Sequence, residues 1–313
     1  MYRLFHIFVV GFLAVFPSMQ ASAQSELQET RERVNKNTVY VMGGSLTGTN
    51  SALVWDMAKL FDDGYDLRVL PIAGRGSMRT TEDILFLSGI DVGTVQADVL
   101  DFFTQHNIYP RLPSLLRYIT ALHSEEFHVV TGPNYTNIQE LEGKKVNFGP
   151  PTSGTFMTSS VVFDRLGITV DAQSDSYDIG LDRLRKGEID AIVRVAGAPT
   201  RFLADISKDE ALKLLPVPIV GGSYETATLS SEDYPGLIPL GNEIETVSVS
   251  SVLVAYNHPE DHFRFQRVDK LANTLYERLA ELKSGGSFHP KWQEVDFDQD
   301  VEGWTRWNIS NSD

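Results

Sequence analysis

Short apolar runs and amphipathic stretches alternate along this chain, and Gly, Ser and Thr punctuate them. Thr38–Met42 is a β-branched and apolar run that predicts a strand, and 51–62 predicts a helix. The next strand is expected over Asp66–Pro71, then a helix over Thr80–Leu87 that stops at Gly89, then a strand over Ile90–Val95. Tyr118–Leu122 and Phe127–Thr131 read as extended. Lys145–Phe148 predicts a strand and Phe156–Leu166 a helix. A helix over Ile179–Arg185 stops at Gly187, a strand follows over Ile189–Val195, then a helix over Thr200–Lys208. Residues 212–251 are rich in Pro, Gly, Val and Ile and predict irregular connections, with helix signals near Ser231–Tyr234 and then a strand over Thr246–Tyr256. Over Pro259–Leu282, residues Phe263, Val268, Leu271, Leu275, Leu279 and Leu282 recur at helical spacing and predict a long amphipathic helix. Alternation of this kind implies an α/β fold with mostly parallel sheets covered on both faces.

An internal echo divides the pattern in two. Asp83–Gly93 and Leu181–Ala191 both read as a short helix, a Gly, an acidic position and an apolar strand. Gly89 and Gly187 are expected in the left-handed conformation that ends a helix at little cost. A chain of this length also suggests two lobes. Trp292, Phe297, Trp304 and Trp307 fall in a loop-rich tail, where they are expected to pack that tail onto a lobe.

The N-terminus changes the picture. Arg3 is the only charged residue before Glu26, Leu4–Phe16 is mainly apolar, and small residues lead up to Ala21-Ser22-Ala23. This is the form of a cleavable signal peptide, residues 1–23, cut after Ala23, and it places the protein in the periplasm. The apolar run falls short of the roughly 20 residues that a spanning helix needs. Gln24–Lys36 is polar and reads as a flexible or helical leader. Loss of 1–23 removes one Arg and no acid, which takes the formal net charge from −15 to −16. So acidic a chain is a poor partner for nucleic acid or an anionic membrane surface. It has no Cys, so no disulfide and no cysteine-linked lipid anchor is expected.

Two loops carry the candidate chemistry. Gly43-Gly44-Ser45-Leu46-Thr47-Gly48-Thr49-Asn50 and Pro150-Pro151-Thr152-Ser153-Gly154-Thr155 each join a strand to a helix. At such junctions the free N–H groups of a helix start, with nearby hydroxyls, can face an anion. The first loop has the glycine spacing of a nucleotide loop, but Thr49-Asn50 stand where its Lys would be. Ser45, Thr47, Thr49 and Asn50 could instead hold a carboxylate, or simply cap the helix. In Ala73-Gly74-Arg75-Gly76-Ser77, Arg75 suits a bidentate carboxylate, with Gly76 and Ser77 beside it, or is a solvated turn residue. Gln96 and Asp98 end a strand at the side that faces the ligand crevice in open α/β sheets, although Asp98 could equally cap the next helix. Arg194 and Ala196-Gly197-Ala198-Pro199-Thr200 hold the matching place in the second half. No G-x-S-x-G, H-E-x-x-H or Cys nucleophile is present. His123 and His128, five apart on an extended segment, would point to opposite faces.

Together these residues resemble the TAXI family, the solute receptors associated with TRAP transporters. The resemblance runs through Val39–Asn50, Gly76-Ser77, Ser88–Gly93, Val95–Asp98, Gly143–Gly149, Ser153–Thr155, Lys186–Ala191, Val195–Thr200 and His289-Pro290. It departs from the family at Thr49-Asn50-Ser51, where aromatic residues usually stand, and after Ser77, where an Asn is expected. The resemblance implies a periplasmic-binding-protein fold with two α/β lobes and two crossover strands (type II). It further implies capture of a small carboxylate for a TRAP membrane permease, the ligand being an amino acid or a dicarboxylate such as glutamate or 2-oxoglutarate. A monomeric receptor with no cofactor, no metal and no catalysis is expected. The lobes would be 37–128 plus 252–313 and 129–251, crossing at Phe127–Thr131 and Ser250–Tyr256. The ligand would meet Ser45, Thr47, Thr49, Asn50, Arg75, Gly76, Ser77 and Gln96 from one lobe, and Thr152, Ser153, Gly154, Thr155, Ala196 and Gly197 from the other. A receptor of the same fold that signals to a partner protein is the alternative. An exported enzyme with Ser77 or Ser153 as nucleophile would need a base beside that hydroxyl.

Overall fold

A computed structural model describes residues 16–46 and 48–309, with side chains from Gln24 onward. The expected signal segment therefore lies outside the described side chains, as does Thr47. The elements in chain order begin with α1 Phe16–Lys36, β1 Thr38–Met42, α2 Thr49–Phe61, β2 Arg68–Ile72, α3 Ser77–Phe86, β3 Val92–Gln96, α4 Val99–Gln105, α5 Leu112–Leu115 and β4 Leu116–Thr131. They continue with β5 Lys145–Asn147, α6 Gly154–Arg165, β6 Asp171–Gln173, α7 Tyr177–Arg185, β7 Ala191–Ala196 and α8 Arg201–Ala204. β8 Lys213–Leu214, β9 Tyr224–Ser230, β10 Glu243–Tyr256 and α9 Phe263–Lys283 come next, and the aromatic tail follows them.

The strands form one sheet in the order β2-β1-β3-β10-β4-β7-β5-β6, with β8 against β4 and β9 against β10. β1 runs parallel to β2 and β3, and β5 runs parallel to β6 and β7, so each end of the sheet is a βαβ unit. The long antiparallel strands β4 and β10 join the two ends. β10 pairs with β3 through Ser251–Ala255 and with β9 through Glu243–Val249. β4 pairs with β7 through Glu126–Thr131. Each long strand thus changes partners midway, at Glu126 and at Val249–Ser251. This is a mixed α/β architecture of two parallel units bridged by two crossover strands, the fold that the sequence implied.

Burial explains the pattern. Val39 and Val41 of β1 are buried against Leu53, Val54 and Met57 of α2 and Leu271 and Leu275 of α9 in one apolar cluster. A second cluster joins the halves: Leu100, Phe102 and Phe103 of α4 lie in it with Met157, Val161 and Val162 of α6. The aromatic tail packs as expected. Trp292 and Trp307 are buried in the first cluster, and Trp304 donates its ring N–H to Ala97 O at 2.8 Å.

Four local expectations differ. Tyr118–Leu122 and Phe127–Thr131 are one continuous strand. The helix expected over Thr200–Lys208 is confined to Arg201–Ala204. β9 falls in the region expected to be irregular, because only its Tyr224 and Leu229 are buried and its apolar signal is weak. Gly187 has φ +70°, but α3 ends at Phe86 and Leu87 in extended backbone, so Gly89 is not needed in the left-handed region.

Candidate ligand-binding site

The loops after β2, β5 and β7 and the middle of β4 converge where the two halves of the sheet meet. α6 starts in a good cap: Ser153 Oγ accepts from Phe156 N at 3.1 Å, which satisfies one of the free donors of the helix start. Gly76, at φ +113°, packs on this loop. A Cβ on Gly76 would stand 2.6 Å from Ser153 Cα and 2.7 Å from Thr152 O. Gly154 in turn packs on the Gln96 side chain so tightly that a Cβ would collide with the amide. Only glycine at both positions lets the halves close this far.

Behind this contact lies a buried polar network. Gln96 is 3 % exposed. Its backbone N–H donates to Ser77 Oγ at 3.0 Å, and its Nε2 donates to Glu125 Oε2 at 2.6 Å. Asn50 Nδ2 donates to Glu125 Oε1 at 2.8 Å. Asn50 Oδ1 accepts from Ser251 Oγ at 2.7 Å and lies 3.0 Å from His123 Nε2. Burial pushes the Glu125 carboxyl up to about 7, although Gln96, the Arg194 charge and Asn50 all pull it down. Burial holds His123 down at about 4, so the ring is neutral. Glu126, on the opposite face of β4, accepts from Ala198 N at 2.6 Å, and burial raises its carboxyl as well.

The second half contributes Thr155, Tyr177 and Arg194. Thr155 Oγ1 accepts from Val195 N at 3.1 Å and from Tyr177 OH at 3.0 Å. The Arg194 guanidinium lies over the Tyr177 ring at 4.1 Å from its centroid. Its Nε is buried without a hydrogen-bond partner among the described residues.

Asn50, Gly76, Ser77, Gln96, Thr152, Ser153, Gly154 and Thr155 are therefore brought together. Ala196 and Gly197 end β7 on the other side of His123, with the Cβ position of Gly197 3.4 Å from His123 Nδ1. Thr49 opens α2 without a side-chain cap below it. Ser45 and Arg75 are exposed, and Arg75 makes no ion pair among the described residues. Asp98 stands at the start of α4 but makes no cap. Instead its Oδ2 accepts from Thr158 Oγ1 of α6 and Tyr224 OH of β9, both at 2.7 Å, which ties the two halves together. His123 and His128 do part to opposite faces: His128 Nε2 lies 2.8 Å from Tyr234 OH. Glu125, Glu126, His123 and Tyr177 were not foreseen as site residues. A surface groove of about 650 Å³, lined by Leu212–Pro216 and Pro235–Leu240, contains none of these residues.

Among solved structures, Tv2483 bound to L-arginine is 14 % identical with a TM-score of 0.50, covering 89 % of this chain and 98 % of that chain. A protein of Bordetella bronchiseptica RB50 is 15 % identical with a TM-score of 0.50, covering 82 % of this chain and 77 % of that one. The alkanesulfonate-binding protein SsuA from Xanthomonas axonopodis pv. citri, bound to MOPS, is 13 % identical with a TM-score of 0.47, covering 82 % of each. At such identities the likeness to the two structures with a TM-score of 0.50 speaks for the fold alone, which is that of type II periplasmic binding proteins. A family model spans residues 90–304, from the start of β3 to the aromatic tail, and by that match the chain belongs to the NMT1-like family.

Proposed function

We propose that this protein is an extracytoplasmic solute receptor. It captures a small carboxylate between two lobes, 37–128 plus 252–313 and 129–251, and delivers it to a TRAP-type permease. The observation that carries this reading is the contact of Gly76 and Gln96 with Ser153 and Gly154. Two loops rich in donors, one from each lobe, meet face to face, as a hinge-closing receptor requires. The α6 start and Arg194 supply the positive potential for a carboxylate, and Asn50, Ser77, Gln96 and Thr155 supply hydrogen bonds. Export through a signal peptide cut after Ala23 fits this role. A receptor makes and breaks no bond of its ligand, and the serines fit that role: Ser153 Oγ is committed to Phe156 N and Ser77 Oγ to Gln96, and neither hydroxyl is bonded to a base among the described residues. Calorimetry of the mature chain with a panel of organic and amino acids tests the reading. Saturable binding is expected, with Gly154→Ala and Arg194→Gln both weaker; no binding by any carboxylate would reject it.

A further inference from the structure

We propose that the cleft selects a ligand that carries a protonated amine or guanidinium as well as a carboxylate, with Glu125 receiving the cation and Arg194 the carboxylate. This rests on the cleft being the ligand site.

Glu125 lies at the partner switch of β4 and is 7 % exposed. Both of its oxygens are held, but only by the neutral amides of Gln96 and Asn50. Each oxygen keeps a lone pair for a further donor. The nearest basic group is His123 Nε2 at 3.9 Å, and that ring is neutral. Gln96, which grips Glu125, is the same side chain that Gly154 covers from the other lobe. The carboxylate therefore sits directly beneath the closing surface.

Arg194 stands on β7, close enough for its charge to act on Glu125. Yet the two form no ion pair within 4.0 Å. Stacking on Tyr177 occupies the guanidinium face and leaves its edge for bidentate pairing. Its Nε is buried without a partner among the described residues. Glu125 and Arg194 thus share one cleft without meeting, and neither has a charged partner among the described residues. Burial without a counter-charge is costly to an ionised group, and this cost is what raises the Glu125 carboxyl while it has no cation beside it. A zwitterionic end group would satisfy both at once. A diacid would set its second carboxylate against Glu125. A ligand in which the amine is replaced by an oxo group would leave Glu125 unpaired.

The test is calorimetry of the mature chain with amino acids and their matching 2-oxo acids, for example L-glutamate against 2-oxoglutarate and L-leucine against 4-methyl-2-oxopentanoate. The amino member of a bound pair is expected to bind roughly a hundredfold tighter. Glu125→Gln should collapse that ratio toward one by weakening the amino acid, whereas Arg194→Gln should weaken both members. Equal or tighter binding of the oxo acid by the wild type overturns the proposal and assigns Glu125 as a proton-bearing donor to a diacid. So does a ratio unchanged in Glu125→Gln. Both of these outcomes leave the receptor reading intact, while silence from every carboxylate rejects both. The wild-type ratio decides the matter even if Glu125→Gln fails to fold.

Discussion

Asp98 offers the sharpest test of how the two halves are held. It is fully buried, it accepts hydroxyls from Thr158 and Tyr224, and its Oδ1 has no partner among the described residues. Burial, with a smaller contribution from the Asp101 charge, raises its carboxyl from 3.8 to about 6 against the two hydroxyl bonds. Because the folded value is raised, the stabilising effect is complete below the unfolded pKa near 3.8 and is lost as pH rises through about 6. Above that, the folded state carries an ionised, buried carboxylate at a cost of roughly 3 kcal/mol. Asp98→Asn keeps an oxygen for both hydroxyls and cannot ionise. It should unfold with a stability nearly flat in this respect, offset by about 1 kcal/mol for the amide N–H groups that lack acceptors. Urea unfolding followed by circular dichroism at pH 5, 6, 7 and 8 measures the difference between the two proteins. Glu125, raised to about 7, tilts both curves in the same sense and drops out of the difference. The variant should gain on the wild type by about 1.4 kcal/mol between pH 5 and pH 8, the rest of the loss lying below pH 5. Parallel curves would refute the reasoning.

Other outcomes follow from neighbouring contacts. Tyr224→Phe removes one of the two hydroxyls on Asp98 and should cost about 1–2 kcal/mol at pH 8, with a smaller loss at pH 5, read by the same unfolding curves. Gly154→Ala drives a methyl into the Gln96 amide, so it should weaken ligand binding roughly ten- to hundredfold and also lower the melting temperature, because the contact is part of the folded chain; unaltered affinity would disprove the closed contact. Asp91 and Arg267, 2 % and 7 % exposed, form a buried ion pair that ties the start of β3 to α9. Asp91→Ala should cost about 3–5 kcal/mol, and Asp91→Ala with Arg267→Met should recover most of it; a single-mutant loss below about 1 kcal/mol would show that the pair is not desolvated.

The parts of the fold that were legible in the sequence are those whose physics is local. A β-branched run such as Thr38–Met42, the spacing of Val268, Leu271 and Leu275, and the Ser153-Gly154 helix start each depend on a few neighbouring residues. The site is different, because its members stand at 50, 96, 125, 154 and 194 and meet only through the sheet order. Asn50 was picked out as a loop residue, but its actual partners, Glu125, His123 and Ser251, lie on the crossover strands. Arg75, read either as a carboxylate partner or as a solvated turn residue, is exposed in its turn, whereas Arg194, read as its counterpart in the second half, is stacked on Tyr177.

One signal for the missed residues was nevertheless present. β4 is buried along almost its whole length, and a strand buried on both faces should read as a continuous apolar run. Its sequence is mainly apolar toward both ends but carries His123-Ser124-Glu125-Glu126 in the middle. Polar and charged groups are costly in such a place unless they are satisfied by partners or by a ligand. The interruption also coincides with the point where β4 leaves β10 for β7, between the two halves of the sheet. An unbroken strand would have served to connect the lobes. Glu125 and Glu126 instead put two carboxyls that need partners where the strand passes between the halves, and they find them in Gln96 and Asn50 on one face and in Ala198 N on the other.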